Sequence, residues 1–95
     1  MTRRVAFQVA AQSQISADEL VLQGRALLDL SVGERLFLAT PDEPHGYLAT
    51  IIALTSYGHE MPTLYAGLTG TVGIRLAEPK EITWKSDLVE LDLLL

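Results

Sequence analysis

The chain has 95 residues, of which 48% are hydrophobic and 20% charged, and its net charge is -5 with 12 acidic against 7 basic side chains. This composition is typical of a globular protein and excludes the low-hydropathy, high-charge class of disordered chains. The length predicts one domain spanning residues 1–95. The negative charge repels phosphate backbones, so RNA is a disfavoured partner that only a local basic patch would permit.

The sequence contains no cysteine. Disulfides, thiolate metal sites and a cysteine nucleophile are therefore excluded, and a cytoplasmic location is expected. The first residues, MTRRVAFQVAAQSQ, pair two arginines with an apolar stretch, but Gln8 interrupts that stretch too early for a signal peptide. No apolar run approaches the roughly 18 residues of a membrane-spanning helix, so no membrane association is expected.

Apolar and polar residues alternate with a period of two, which predicts half-buried β-strands. In Arg4–Ala10, Val5, Phe7 and Val9 are expected on one face and Arg4, Ala6 and Gln8 on the other. The next predicted strands, in chain order, are Glu19–Leu28, Glu34–Thr40, Tyr47–Tyr57, Thr71–Ala77 and Asp87–Leu95.

Two segments leave a helix open as the alternative. In SADELVLQ, Ser16 and Glu19 have the spacing of a capping box, but the residues that follow alternate and favour a strand. The run YLATIIALTSY, from Tyr47 to Tyr57, is long enough for a helix, yet its β-branched and aromatic residues favour a strand.

Turn residues separate these segments. Pro41, Asp42, Glu43, Pro44 and Gly46 predict one loop, and Gly58–Pro62 begins another. Six strands in about 95 residues predict an all-β fold, namely a small closed six-stranded antiparallel or Greek-key β-barrel. Closure would also remove the exposed edges of a leucine-rich sheet.

The stretch GRALLDLSVGERLFL, from Gly24 to Leu38, places a glycine-containing turn between two apolar segments. Gly33 suits a tight corner with positive φ, so the stretch is expected to be a hairpin with Leu36 pointing inward. Later in the chain, AGLTGTVGIRL, from Ala66 to Leu76, leads a glycine-rich turn into a strand.

In this order, the two stretches resemble the second domain of translational GTPases, the β-barrel module of the elongation factor Tu family. The resemblance covers roughly Phe7 to Val89. It implies a translation-factor domain 2-like fold, a binding role without cofactor, and a possible association with translation, because in that family the barrel packs against a nucleotide-binding domain and contacts tRNA. No G-x-x-x-x-G-K-[ST] loop is present to hold nucleotide phosphates, so the module is expected to stand alone.

Candidate chemistry is sparse. His45 and His59 are the only histidines, both in segments expected to be loops, and the pair His59-Glu60 lacks the second histidine of a zinc motif. No catalytic, cofactor-binding or metal-binding residue is therefore predicted. The expected function is non-enzymatic binding of an unidentified protein partner.

Five residues are candidates for the partner interface. Trp84 is either an interface anchor or a plug at one barrel end. Arg25 and Arg75 fall on outward faces of predicted strands and form either a basic patch or an ordinary solvated surface. Leu93 and Leu95 belong to the apolar end LDLLL, which is either the closing strand or a pairing surface. The alternative function is accordingly a structural interaction protein or homodimer, assembled through β edges and the C-terminal strand.

Overall fold

The computed structural model describes residues 4–40, 43–78 and 89–93, and these ranges contain β-strands but no helix. The strands are β1 (Arg4–Gln14), β2 (Glu19–Ala26), β3 (Leu30–Ser31), β4 (Arg35–Thr40), β5 (Glu43–Ser56), β6 (His59–Glu60), β7 (Thr63–Leu64), β8 (Thr69–Leu76) and β9 (Val89–Leu93). The predicted all-β class is confirmed. Nothing in the described ranges could cross a lipid bilayer as a helix.

Each of the six predicted strands corresponds to one of the longer observed strands. The segment Tyr47–Tyr57, for which the sequence also permits a helix, is extended as part of β5. Its β-branched side chains fit a pleated surface better than a helix, where they lose rotamer freedom. Ser16 likewise caps no helix, because residues 16–18 form a bend that leads into β2.

The longer strands form one antiparallel sheet that curls into a half-barrel. β1 lies between β2 and β9, β2 pairs with β8, and β8 pairs with β5. β4 pairs with β9 along one side and with β5 along the other. The short strands β3 and β7 form a separate two-stranded sheet. The finer prediction, a closed six-stranded barrel of the domain 2 type, stays a prediction.

The concave side of this sheet holds the hydrophobic core. The fully buried large side chains come from seven strands and are Phe7, Leu20, Leu22, Leu30, Leu36, Leu38, Ile51, Leu54, Leu64, Val72 and Ile74. Burying each stabilises the fold by about 1.5–3 kcal/mol relative to exposure. Leu36, which is predicted to point inward, is among them.

The stretch Gly24–Leu38 is not a hairpin, which corrects the expectation from the sequence. Its two long strands, β2 and β4, do not pair with each other, since β2 pairs with β1 and β8 and β4 with β5 and β9. The segment between them crosses one end of the sheet, where Leu30 is buried and pairs with Leu64. Because Leu30 is buried there, the chain does not turn directly from β2 into β4 as it would in a hairpin.

The corner at Gly33 does form as predicted. Gly33 has a φ of +96°, and Glu34 N–H donates to the Ser31 carbonyl at 3.1 Å. The Glu34 carboxylate closes the turn by accepting a hydrogen bond from Ser31 N–H at 2.7 Å. Leu36 then enters the core fully buried, as expected.

Ala6 is predicted on the outer face but is completely buried. The register between β1 and β9 shifts between Val5 and Phe7, which marks a β-bulge. The Ala6 carbonyl there accepts the N–H groups of both Leu27 and Leu28, at 2.8 and 3.2 Å. The bulge adds one residue and places two consecutive side chains on the core side.

The loop predicted over residues 41–46 is shorter than expected. β5 already begins at Glu43, which pairs with Thr40, so His45 lies in a strand and not in a loop. His59 also lies in a strand, β6. Gly46 has a φ of +89°, and a Cβ there would stand 2.6 Å from the Phe37 Cβ. The positive φ of Gly46 makes β5 irregular at this point. Turn-forming residues are therefore compatible with strand pairing in this segment.

Candidate functional site

A groove of ≈ 530 Å³ lies on the face of the sheet where β1, β2 and β8 run side by side. Two glycines, Gly24 of β2 and Gly70 of β8, are direct partners across these strands and lie at the groove. A Cβ on Gly24 would overlap the Gln8 carbonyl oxygen, and one on Gly70 would overlap the Thr55 carbonyl oxygen. Only glycine at both positions allows the neighbouring strands to approach this closely.

The groove combines small or uncharged residues with one cation. Its lining residues are Gln8, Val9, Ala10, Gln23, Gly24, Arg25, Thr69, Gly70 and Thr71. The polar groups are two amides, two hydroxyls and the Arg25 guanidinium, and none of these described lining residues carries a carboxylate. We call this feature the Gly24–Gly70 groove.

Arg25 is exposed and stands between Gln8 of β1 and Thr69 of β8, its register partners on either side. Within the described part of the chain, no acidic side chain forms an ion pair with it. Glu90 of β9 occupies the register position opposite Gln8. The backbone of Glu90 is therefore two strands away from that of Arg25, a distance of roughly 10 Å. Of the residues the structure describes at this groove, Arg25 is the one that carries a charge.

Unlike Arg25, Arg75 forms a salt bridge within the described residues. Its guanidinium lies 2.6 Å from the Glu19 carboxylate on the neighbouring strand. The hydrogen bond to Glu19, followed by the charge of that carboxylate, raises the pKa of Arg75 above its ordinary value. Glu19 lies six residues before Arg25 along β2, roughly 20 Å away, so the two predicted arginines are exposed but not brought together.

The remaining predicted interface residues are placed only in part. Leu93 ends β9, at the register position opposite Leu36 of β4 and Arg4 of β1. Trp84 and Leu95 lie outside the described residues. Their interface role stays a prediction.

Tyr57 is a functional candidate that sequence reasoning missed. It is 83% exposed and has a φ of +52°, in a two-residue turn with Gly58, whose φ is +78°. Positive φ at both positions is the pattern of a type I′ hairpin, which favours Asn-Gly and makes a bulky aromatic residue costly at the first position. In the sequence, this turn is indicated by the dipeptide Tyr57-Gly58 between short polar segments.

Tyr57 also lies beside the Gly24–Gly70 groove. It directly follows Ser56, whose hydroxyl donates to the carbonyl of Thr69, a groove residue, at 2.9 Å. One residue further back, the Thr55 hydroxyl is hydrogen-bonded to that of Thr71. Two side-chain contacts thus fix the β5–β6 turn at one rim of the groove.

A second hollow of ≈ 330 Å³ lies near the opposite end of β5, between β4 and the end of β8. Its lining residues are Phe37, Gly46, Tyr47, Leu48, Ala77 and Glu78. It contains two aromatic side chains, Phe37 and Tyr47, and the carboxylate of Glu78.

Among the described residues, no three His, Cys, Asp or Glu side chains are placed to hold a metal ion. His45 and His59 lie at opposite ends of β5, one within it and one just beyond its turn. Comparison of the chain with protein-family models, with curated proteins and with solved structures returned no match.

Proposed function

We propose that this chain is a non-enzymatic protein-binding module and that the Gly24–Gly70 groove is its contact surface. The observation that carries the proposal is an open groove with small residues at its centre, several hydrogen-bonding groups and one arginine that has no acidic partner among the described residues. Such a surface offers binding groups without the acid–base pair or metal cluster that catalysis needs.

We further propose that the six long strands close into a barrel of the elongation factor Tu domain 2 type. The order of pairings supports closure, because passing from β4 through β9, β1, β2, β8 and β5 leads back to β4. A translation-associated role is part of this proposal and rests on the resemblance of Gly24–Leu38 and Ala66–Leu76 to that family.

The alternative, a homodimer built through the C-terminal strand, requires a free strand edge. β9 already pairs with β1 on one side and with β4 on the other. Its backbone donors and acceptors are therefore used within the chain over Val89–Leu93, which favours the binding module.

Affinity capture followed by native mass spectrometry tests the proposal. Tagged chain is recovered from a lysate of the source cells, treated with nuclease and compared with a tag-only control. We expect a complex of one copy of the chain with a partner protein that survives nuclease. Recovery of a particle of twice the 10.4 kDa chain mass alone would favour the homodimer, and loss of the complex with nuclease would favour RNA binding.

A further inference from the structure

The charge of the Gly24–Gly70 groove is opposite to that of the chain as a whole. The chain carries a net charge of -5, yet the described lining of the groove has one arginine and no acidic residue. Among the described residues the Arg25 guanidinium has no carboxylate partner, and the groove surface around it is mostly apolar, so the guanidinium is suited to bind a carboxylate from outside. A partner segment that carries a carboxylate complements this site, whereas a basic segment does not.

The spacing of the polar groups fits an extended segment. Gln23 and Arg25 are two residues apart on β2, and Thr69 and Thr71 are two apart on β8, so each pair repeats every 6.5–7 Å or so along its strand. An extended peptide repeats its backbone groups at the same interval. The Gln8 and Gln23 amides can each donate to and accept from peptide groups that lie across them.

The size of the groove limits how much of a partner it can hold. A volume of ≈ 530 Å³ falls within the roughly 300–1,000 Å³ of typical ligand sites, which is room for only a few residues. Gly24 and Gly70 bring the neighbouring strands close together, and the groove at their level has room mainly for small partner residues. Tyr57 adds a rigid aromatic group at the rim, the kind of residue that often anchors an interface.

From these observations we infer that the Gly24–Gly70 groove binds a short extended segment of a partner protein, with an Asp or Glu side chain of that segment held by Arg25. The inference rests on the proposed binding function and adds its recognition chemistry. Small residues of the segment lie over Gly24 and Gly70, and one end of the segment packs against Tyr57. A nucleic acid is disfavoured, because a single arginine cannot offset repulsion between phosphates and a chain of charge -5.

Selection from a phage-displayed library of random peptides tests the inference. The immobilised wild-type chain is expected to enrich peptides that contain Asp or Glu flanked by small residues. Enriched sequences are then made as capped synthetic peptides and titrated by fluorescence anisotropy, each beside its Asp→Asn or Glu→Gln version. Loss of the peptide's carboxylate is expected to weaken binding about 10- to 100-fold, the range for a hydrogen bond between charged groups.

Variants of the chain locate the site. Arg25→Gln should weaken binding by the same factor as loss of the carboxylate, and Arg25→Glu should redirect selection toward peptides with Lys or Arg. Ala10→Trp places a bulky ring in the groove and should abolish binding. The matched controls are Arg35→Gln on β4 and Ala53→Trp on β5, both at exposed positions outside the groove, and these should bind like the wild type. Circular dichroism and urea midpoints check that each variant is folded.

Four results would overturn the inference. If peptides are enriched but bind Arg25→Gln and Ala10→Trp unchanged, the chain binds proteins at another surface, and the proposed function stands without this groove. If the selected peptides are basic, or if no peptide is enriched, the recognition chemistry is wrong, and the capture experiment still decides the proposed function separately. Binding of poly(U) that depends on Arg25 and exceeds peptide binding would replace the protein segment by RNA.

Discussion

Gly70 and Gly73 of β8 differ in the contacts that an added Cβ would make. A Cβ at Gly70 would overlap the Thr55 carbonyl oxygen, whereas one at Gly73 would lie 3.4 Å from the Ala53 Cβ, an ordinary contact. We therefore expect Gly70→Ala to lower the free energy of unfolding by about 2 kcal/mol or more, because the strands must separate. Gly73→Ala should stay within about 0.5 kcal/mol of the wild type. Urea denaturation measures both, and equal midpoints for the two variants would contradict the close approach at Gly70.

We expect Tyr57 to lower the free energy of unfolding, because it adopts positive φ at a position that favours asparagine. Tyr57→Asn should raise the free energy of unfolding by about 0.5–1 kcal/mol, seen as a higher melting temperature. Tyr65→Asn is the control, because Tyr65 is also exposed but does not have positive φ. A gain of equal size in both variants would point to removal of an exposed aromatic group and not to relief of backbone strain.

At the scale of the strand, β9 connects two strands that are far apart in sequence. It pairs with β1 and with β4, so removal of residues 90–95 takes away the strand that joins them. We expect this truncation to unfold the chain and not merely to dissociate an oligomer. Far-UV circular dichroism and light scattering of the truncated chain separate the two. A folded, monomeric truncation product that derives from a dimeric parent would instead support assembly through this strand.

The period of two predicted five of the six long strands, because each is long enough to repeat the alternation, whereas Tyr47–Tyr57 was predicted from its β-branched and aromatic residues. It failed for β3, β6 and β7, which have two residues each and therefore no period. It also failed at Ala6, where a bulge changes the face of a side chain without changing the sequence pattern.

The sequence predicted individual residues of the candidate site but not how they are arranged. Alternation placed Arg25 on an outer face, and the structure finds it exposed. That Gly24 faces Gly70 depends on the register of β2 against β8, two strands that are distant in the chain. Register is set by the packing of whole strands, and a single sequence does not reveal it when the connections are long. Tyr57 was missed because its hairpin ends in the short strand β6.

For the molecule as a whole, the absence of a phosphate-binding sequence loop leads to a direct prediction. No G-x-x-x-x-G-K-[ST] motif is present, and the groove offers one arginine and no backbone cradle at a helix N-terminus. We expect isothermal titration calorimetry with Mg²⁺-GTP to give no binding heat above dilution. Saturable binding of GTP would contradict the proposed role as a stand-alone binding module.

The position of β9 between β1 and β4 has a consequence for biosynthesis. About 75 residues separate the end of β1 from the start of β9, so at roughly 5–20 residues per second the ribosome needs on the order of 4–15 s to supply the missing strand. Until then β1 and β4 each present an unsatisfied strand edge to solvent or to a chaperone. A nascent chain of this protein is therefore expected to be prone to aggregation in the interval before β9 emerges.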